Sequence, residues 1–252
     1  MTCGIENDIY CQLLKLRNSF NLVGVKASFE DEGASFNDVV RLRRITESLG
    51  VKLYLKISGA EAIRDIRDSL ELGVDGLIAP MIESAYAARK FIHAVKHIYD
   101  DDNIKMAINI ESKAAIENLE SIIEVCAEDE VGITIGRNDL SASYASYDVT
   151  PFCGLIMGIV ETIADKAEGY GIPITVGGNI SALDLRDLSK IPGIDYIETR
   201  KAILHFETMT ERNEALGECL KLEELCLQSK KEMCDMYTHG DSRRIDILRS
   251  RA

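Results

Sequence analysis

The chain predicts an α/β fold, a closed (β/α)8 barrel of the TIM type, on three observations. Short apolar runs alternate with amphipathic stretches almost from end to end of the 252 residues. Most of those runs are rich in β-branched residues or continuously apolar, as strands are when both faces are covered. Their spacing is regular and shows no long reversal, which favours an all-parallel closed barrel over an open doubly wound sheet.

The strand candidates are 22–27, 52–57, 76–82, 105–111, 131–136, 172–177 and 196–204. Helical periodicity occupies 37–49, 61–72, 84–99, 114–126 and 150–170. Gly50, Gly73 and Gly171 each follow a helical run, where a left-handed cap costs glycine little. Ser84 is placed to cap a helix, and Ser181 with Asp184 has the spacing of a capping box. Only seven strands are visible where a barrel needs eight. The place left for the eighth lies before Leu22, although 9–14 reads more like helix, so a barrel modified at its first strand is the expectation.

The pattern changes after residue 205. We assign 1–205 to a barrel catalytic domain and 206–252 to a helical extension with a basic tail. The stretch 207–237 is charged and helical, with apolar positions at Leu216, Leu220, Leu222 and Leu225. Such a helix either packs on its own barrel or docks on a neighbouring subunit. The segment 239–252, with Arg243, Arg244, Arg249 and Arg251, is expected to be mobile.

Composition narrows the function. A hydrophobic fraction of 46% supports a sizeable core, and the net charge of −13 argues against nucleic acid or an anionic membrane as partner. An anionic substrate must then be met by a local cluster of positive groups. No apolar run approaches the roughly 18 residues of a membrane span, and the N-terminus carries no signal-peptide pattern. Seven cysteines without a Cys-x-x-Cys pair read as reduced thiols, which places the chain in the cytoplasm. Cys219, Cys226 and Cys234 share one helix face and read as small packed residues. The four histidines suggest neither a triad nor a zinc site.

In parallel α/β proteins ligands bind at the carboxyl ends of the strands. Two acids stand there. Glu111 closes the run 105–111, and Asp139 follows 131–136 in the turn Arg137-Asn138-Asp139-Leu140-Ser141. Converging carboxylates offer hard oxygen ligands to Mg²⁺ or Mn²⁺; the plainer alternative is helix capping or salt bridging. Other strand ends bring Lys56 and Ser58, Pro80, and Gly136 with Arg137, which we take as the substrate-facing set. Arg137 either pairs with Asp139 or grips a second anionic group. In 196–204, Glu198 and Arg200 share one face, and Thr199 and Lys201 the other. They read first as structural ion pairs and second as ligand-facing groups.

Three motifs in order, Val-Asp-Gly-Leu-Ile-Ala-Pro-Met-Ile-Glu-Ser, Ile-Asn-Ile-Glu-Ser and Ile-Gly-Arg-Asn-Asp-Leu-Ser, resemble the HpcH/HpaI aldolase and citrate lyase β-subunit family. Its members are metal-dependent barrels of the phosphoenolpyruvate/pyruvate superfamily. The resemblance spans roughly 22–205, and the two acids are 139 − 111 = 28 residues apart, one βα unit. It implies that Glu111 and Asp139 hold a divalent cation, Mg²⁺ or Mn²⁺. It further implies carbon–carbon lyase or aldolase chemistry on a pyruvate-type 2-oxo acid with an aldehyde partner, in an oligomer formed through C-terminal helices.

Two departures stand out. Lys56 occupies the place of a family arginine, keeping the charge but losing the planar fork. A Schiff base on Lys56 would be redundant beside a metal. The family's early histidine base is absent, and Phe29-Glu30-Asp31-Glu32-Gly33 stands there instead. Glu30 or Glu32 is the replacement, with a pKa raised by burial. A citryl- or malyl-CoA-type lyase, or a barrel that has lost catalysis and serves binding or assembly, are the alternatives.

Overall fold

Eight strands close into one barrel in chain order. The computed structural model describes residues 4–100, 104–211, 214–233 and 239–251. The first half runs α1 (Ile5–Phe20), β1 (Leu22–Ser28), α2 (Phe36–Leu49), β2 (Leu53–Lys56), α3 (Ile63–Leu72), β3 (Gly76–Ala79), α4 (Ala85–Tyr99) and β4 (Lys105–Ile110). After it come α5 (Lys113–Glu117), α6 (Leu119–Glu128), β5 (Gly132–Gly136), α7 (Arg137–Ala142), α8 (Gly154–Glu168), β6 (Ile174–Gly177) and α9 (Ala182–Leu188). The chain closes with β7 (Tyr196–Glu198), β8 (Ala202–His205), α10 (Phe206–Glu211), α11 (Ala215–Met233) and α12 (His239–Arg251).

From β1 to β7 every neighbouring pair is parallel. Leu53, Leu55, Leu77, Ile108, Ile133, Ile135 and Val176 on these strands are all but inaccessible, which is why the runs read as continuously apolar. Ser84 accepts from Ala87 N, and Ser181 and Asp184 form a capping box, both as the sequence predicts.

The last strand departs from the prediction. The run 196–204 is a hairpin rather than one strand, and β8 lies antiparallel to both β7 and β1. Thr199 makes the reversal. Its N–H donates to Ala202 O at 2.9 Å, and its hydroxyl accepts from Lys201 N and Ala202 N at 3.3 and 3.2 Å. A threonine hydroxyl hydrogen-bonds the turn backbone here, as asparagine and aspartate side chains do in other tight turns. The eighth strand therefore comes from the end of the barrel; 9–14 lies in α1, and the modification falls at the last strand instead of the first.

The C-terminal segment packs on its own barrel. Helix α11 runs along α1, with Leu216, Leu220 and Leu222 in the common core and Gln12 Nε2 donating to Glu218 O and Oε2 at 2.9 and 2.8 Å. Each buried leucine is worth about 1.5–3 kcal/mol. Cys219 is wholly buried and Cys226 partly so, both with burial pushing the thiol up, Cys226 to about 11. Cys234 lies outside the described residues. The segment expected to be mobile forms α12, with Leu248 buried. Among the described residues no helix is long and apolar enough to cross a membrane.

Tyr54 fixes the spacing of the first three strands. Its ring lies between Gly24 on β1 and Gly76 on β3; a Cβ at either glycine would stand 2.5 or 2.6 Å from a ring carbon. Gly76→Ala should therefore cost about 1–3 kcal/mol by overpacking, read in a denaturant melt. Adding Tyr54→Ala should make the loss less than additive; strict additivity would dissociate the ring from the glycine.

Candidate active site

A cleft of about 100 Å³ opens at the strands' carboxyl ends. Ser28, Lys56, Gly136 and Glu198, the last residues of β1, β2, β5 and β7, line it, as does Asn109 near the end of β4. Glu111 follows one residue after β4 and is 3% exposed. Its Oε1 accepts from Met81 N at 2.8 Å and its Oε2 from Asn109 Nδ2 at 3.0 Å. Met81 has φ +53°, an uncommon conformation for a non-glycine residue, in the turn that presents this N–H. Gly136 makes room for the carboxylate: a Cβ there would meet Glu111 Oε2 at 2.6 Å. Burial raises the Glu111 pKa and nearby Asp139 adds to it, while Lys56 and the two hydrogen bonds pull the other way. Asp139 sits exposed in the first turn of α7, close enough for its charge to act on Glu111.

Lys56 is buried in the same cleft, 2.8 Å from Glu30 Oε2. Burial opposes its charge, but Glu111, Glu30 and Asp31 outweigh that and hold its pKa above the ordinary lysine value. An ammonium held charged in this way is a poor Schiff-base nucleophile. Glu32 lines the cleft with Oε2 on Lys201 at 2.5 Å. Glu30 is engaged by Lys56 and borders a larger cavity of about 700 Å³, which shares Asp31, Glu32, Arg200 and Arg244 with the cleft.

Three of the expected substrate-facing residues do not line the cleft. Arg137 is 0% exposed and pairs with neither Asp139 nor open space. Its Nη1 lies 3.2 Å from Asp184 Oδ1, its Nε donates to Gly177 O at 3.1 Å, its Nη2 donates to Gly178 O at 2.9 Å, and Phe152 stacks on the guanidinium. Since Asp184 also caps α9, Arg137 clamps the β6–α9 loop to α7. Ser58 is exposed, donating through N and Oγ to Asp65 at 2.7 and 2.5 Å. Pro80 is buried and shapes the turn ahead of Met81.

Sequence reasoning missed Lys26, Asn109, Asn138 and Asn179 as cleft residues, and Arg244, which the supposedly mobile tail delivers. Lys26 carried a signal, a charge interrupting an apolar strand. Asn109 carried one as well, between two isoleucines. Arg244 carried none.

The donor set suits a hard cation. Asn109 Oδ1 and Asn138 Oδ1 are buried without a hydrogen-bond partner among the described residues, in the same cleft as the carboxylates of Glu111 and Asp139. No group of three His, Cys, Asp or Glu side chains that could hold a metal occurs among the described residues. Mg²⁺ commonly binds through one or two carboxylates, retaining waters and taking substrate oxygens, and two carboxylates with amide oxygens meet that requirement.

The fold and cleft define a β/α-barrel with a carboxylate site at its strand ends. Residues 51–172 match the family model for HpcH/HpaI aldolase/citrate lyase. It is 29% identical over 112 residues to 2-keto-3-deoxy-L-rhamnonate aldolases of Salmonella paratyphi B and Salmonella newport, covering 34% of this chain and 40% of each relative. The chain thus spans about 40% of the length of the curated relatives it matches. The fold is similar to that of an HpcH/HpaI aldolase from Desulfitobacterium hafniense DCB-2, with TM-score 0.63 and 16% identity over 75% of this chain and 82% of that one. An HpcH/HpaI aldolase/citrate lyase family protein from Burkholderia cenocepacia J2315 gives TM-score 0.62 and 13% identity, covering 77% and 82%. RipC from Yersinia pestis gives 0.53 and 19%, covering 86% and 90%.

Two substitutions separate the roles. Gly136→Ala should displace the Glu111 carboxylate, costing about 1–3 kcal/mol in a denaturant melt by overpacking, and weaken Mg²⁺ binding at least tenfold by calorimetry. Arg137→Ala strands a buried Asp184 and should cost roughly 3–5 kcal/mol in a denaturant melt. A melt unchanged by that second substitution would remove the clamp.

Proposed function

We propose that the chain is a divalent-metal-dependent carbon–carbon lyase or aldolase acting on a pyruvate-type 2-oxo acid. The observation that carries this reading is the pairing of Glu111 with Asp139 at adjacent strand ends, amid partnerless amide oxygens. Glu111, Asp139 and the amide oxygens of Asn109 and Asn138 would hold the cation. When bound, such an ion supplies Lewis-acid stabilisation of negative charge on a substrate oxygen.

The protein's own groups do the rest. Asn109 and Met81 N fix both oxygens of Glu111, so the carboxylate is oriented before anything binds. Lys56 offers a permanent positive charge to a substrate carboxylate, as a point charge without an arginine's bidentate fork. Ser28, Asn179 and Thr199 add polar side chains to the cleft wall. A hydroxylated acid can use these, and the relatives' name points to 2-keto-3-deoxy sugar acids as the first class to try.

Release of pyruvate from such acids in the presence of Mg²⁺ or Mn²⁺ is the direct assay. Glu111→Ala and Asp139→Ala should each abolish saturable cation binding in calorimetry. Turnover should fall at least about a thousandfold, since several kcal/mol of charge stabilisation are lost. A fully active double variant would sink the metal-centred reading. Cleavage of CoA thioesters alone would move the chain to the citryl- or malyl-CoA class. A wild type with no saturable cation site would fit a binding or assembly role.

A further inference from the structure

Resting on that reading, we infer that Glu198, held by Lys26, is the group that carries the substrate proton. Glu198 ends β7 and is 6% exposed. Its Oε1 takes the Lys26 ammonium, and its Oε2 is buried with no hydrogen-bond partner among the described residues. Both side chains line the cleft.

Two glycines place it. Gly136 and Gly177 are register partners on β5 and β6. Glu111 lies over Gly136, and Glu198 lies over Gly177, where a Cβ would meet its Cγ and Oε1 at 3.0 Å. Neighbouring strands are about 4.8 Å apart, so the two carboxyls stand over adjacent positions, roughly one strand spacing from each other. A 2-oxo acid held on the Glu111 side would bring its carbon next to the carbonyl towards Glu198.

The other acids of the wall are placed differently. Glu30 Oε2 holds Lys56, and Glu32 is tied to Lys201 in the wall shared with the larger cavity. Glu32 also has an oxygen, Oε1, with no partner among the described residues. Only for Glu198 do the glycine contacts fix a position beside Glu111.

The step balances without another reactant. The C–H bond at carbon 3 of the acid breaks, its electron pair delocalises towards the carbonyl oxygen, and the proton forms an O–H bond with Glu198 Oε2. In the cleavage direction Oε2 takes the proton of the carbon 4 hydroxyl, the O–H electron pair becomes the aldehyde carbonyl as the carbon 3–carbon 4 bond breaks, and Oε2 then gives that proton to carbon 3. Lys26 holds Oε1 throughout, so the free oxygen keeps its aim.

The test is deuterium exchange into the pyruvate methyl group in D₂O with Mg²⁺, run beside calorimetric binding of oxalate with Mg²⁺. Glu198→Gln should slow exchange at least about 100-fold, the usual worth of a positioned acid–base group. Oxalate affinity should stay within threefold, and Glu198→Asp should recover part of the rate. Exchange in Glu198→Gln at the wild-type rate overturns the role of Glu198 alone, as does oxalate affinity lost in step with exchange. A wild type that exchanges nothing overturns the underlying lyase reading and the proton carrier with it. Should Glu198→Gln not fold, Gly177→Ala moves the carboxylate while keeping its charge. It should slow exchange at least tenfold, and an unchanged rate there is equally fatal.

Discussion

Glu111 can sit inside the barrel mouth as a carboxylate because positive charge and N–H groups meet it on several sides. A buried charge without partners costs many kcal/mol. Here Lys56, the Met81 N–H and the Asn109 amide offset part of the cost, and burial still holds the Glu111 pKa above its ordinary value. The same rule repeats around the rim: Lys26 answers Glu198, Lys201 answers Glu32, and Arg200 answers Asp31 at 2.5 Å. A chain with a net charge of −13 thus builds a mouth in which cations and acids alternate. In each of the pairs on Glu198 and Glu32 one carboxylate oxygen is taken and the other has no partner among the described residues. Those leftover oxygens, with the amide oxygens of Asn109 and Asn138, line the cleft with unengaged acceptors.

Backbone carves the room for this arrangement. With Gly136 and Gly177 side by side, two neighbouring strands bring no side chains to the places where the carboxyls lie. Arg137 then binds the following loop by its two glycine carbonyls, Gly177 O and Gly178 O. Gly178 itself, at φ +99°, passes so close to α7 that a Cβ would stand 2.9 Å from Asn138 N. The helix carrying Asp139 and the loop carrying Asn179 are therefore fastened together. A residue that resembles a substrate clamp in sequence acts as a structural one, and the positive charge of the cleft comes from Lys26, Lys56, Arg200 and Arg244 instead.

Periodicity showed the fold from β1 to β6 because parallel strands covered on both faces must be apolar throughout. It failed at 196–204, where the reversal is made by the Thr199 hydroxyl and no glycine or proline marks it. Glu111, Asp139 and Lys56 could be found because charges at the ends of apolar runs are conspicuous. Arg137 misled for the same reason: proximity to Asp139 in sequence says nothing about its rotamer, which turns it to Asp184. Glu198 was visible first as an ion-pair candidate and second as a ligand-facing group, but its partner Lys26, 172 residues away, was not.

The C-terminal helices finish the wall of the cleft, which links their packing to its chemistry. Glu223 on α11 is wholly buried and receives Arg244 of α12 through Nε at 2.8 Å and Nη2 at 2.7 Å. Arg200, already on Asp31, lies 3.9 Å from the same Glu223 oxygen. One chain of charges thus runs from α12 through α11 and the β7–β8 turn to the loop after β1. The turn exists because β8 doubles back, and α11 is held there by leucines buried against the barrel. A boundary at residue 205 would cut through this chain, so the segment beyond it helps set where Asp31 and Arg200 stand at the mouth. The reversed last strand has a structural consequence: it hands the rim of the site to the end of the polypeptide.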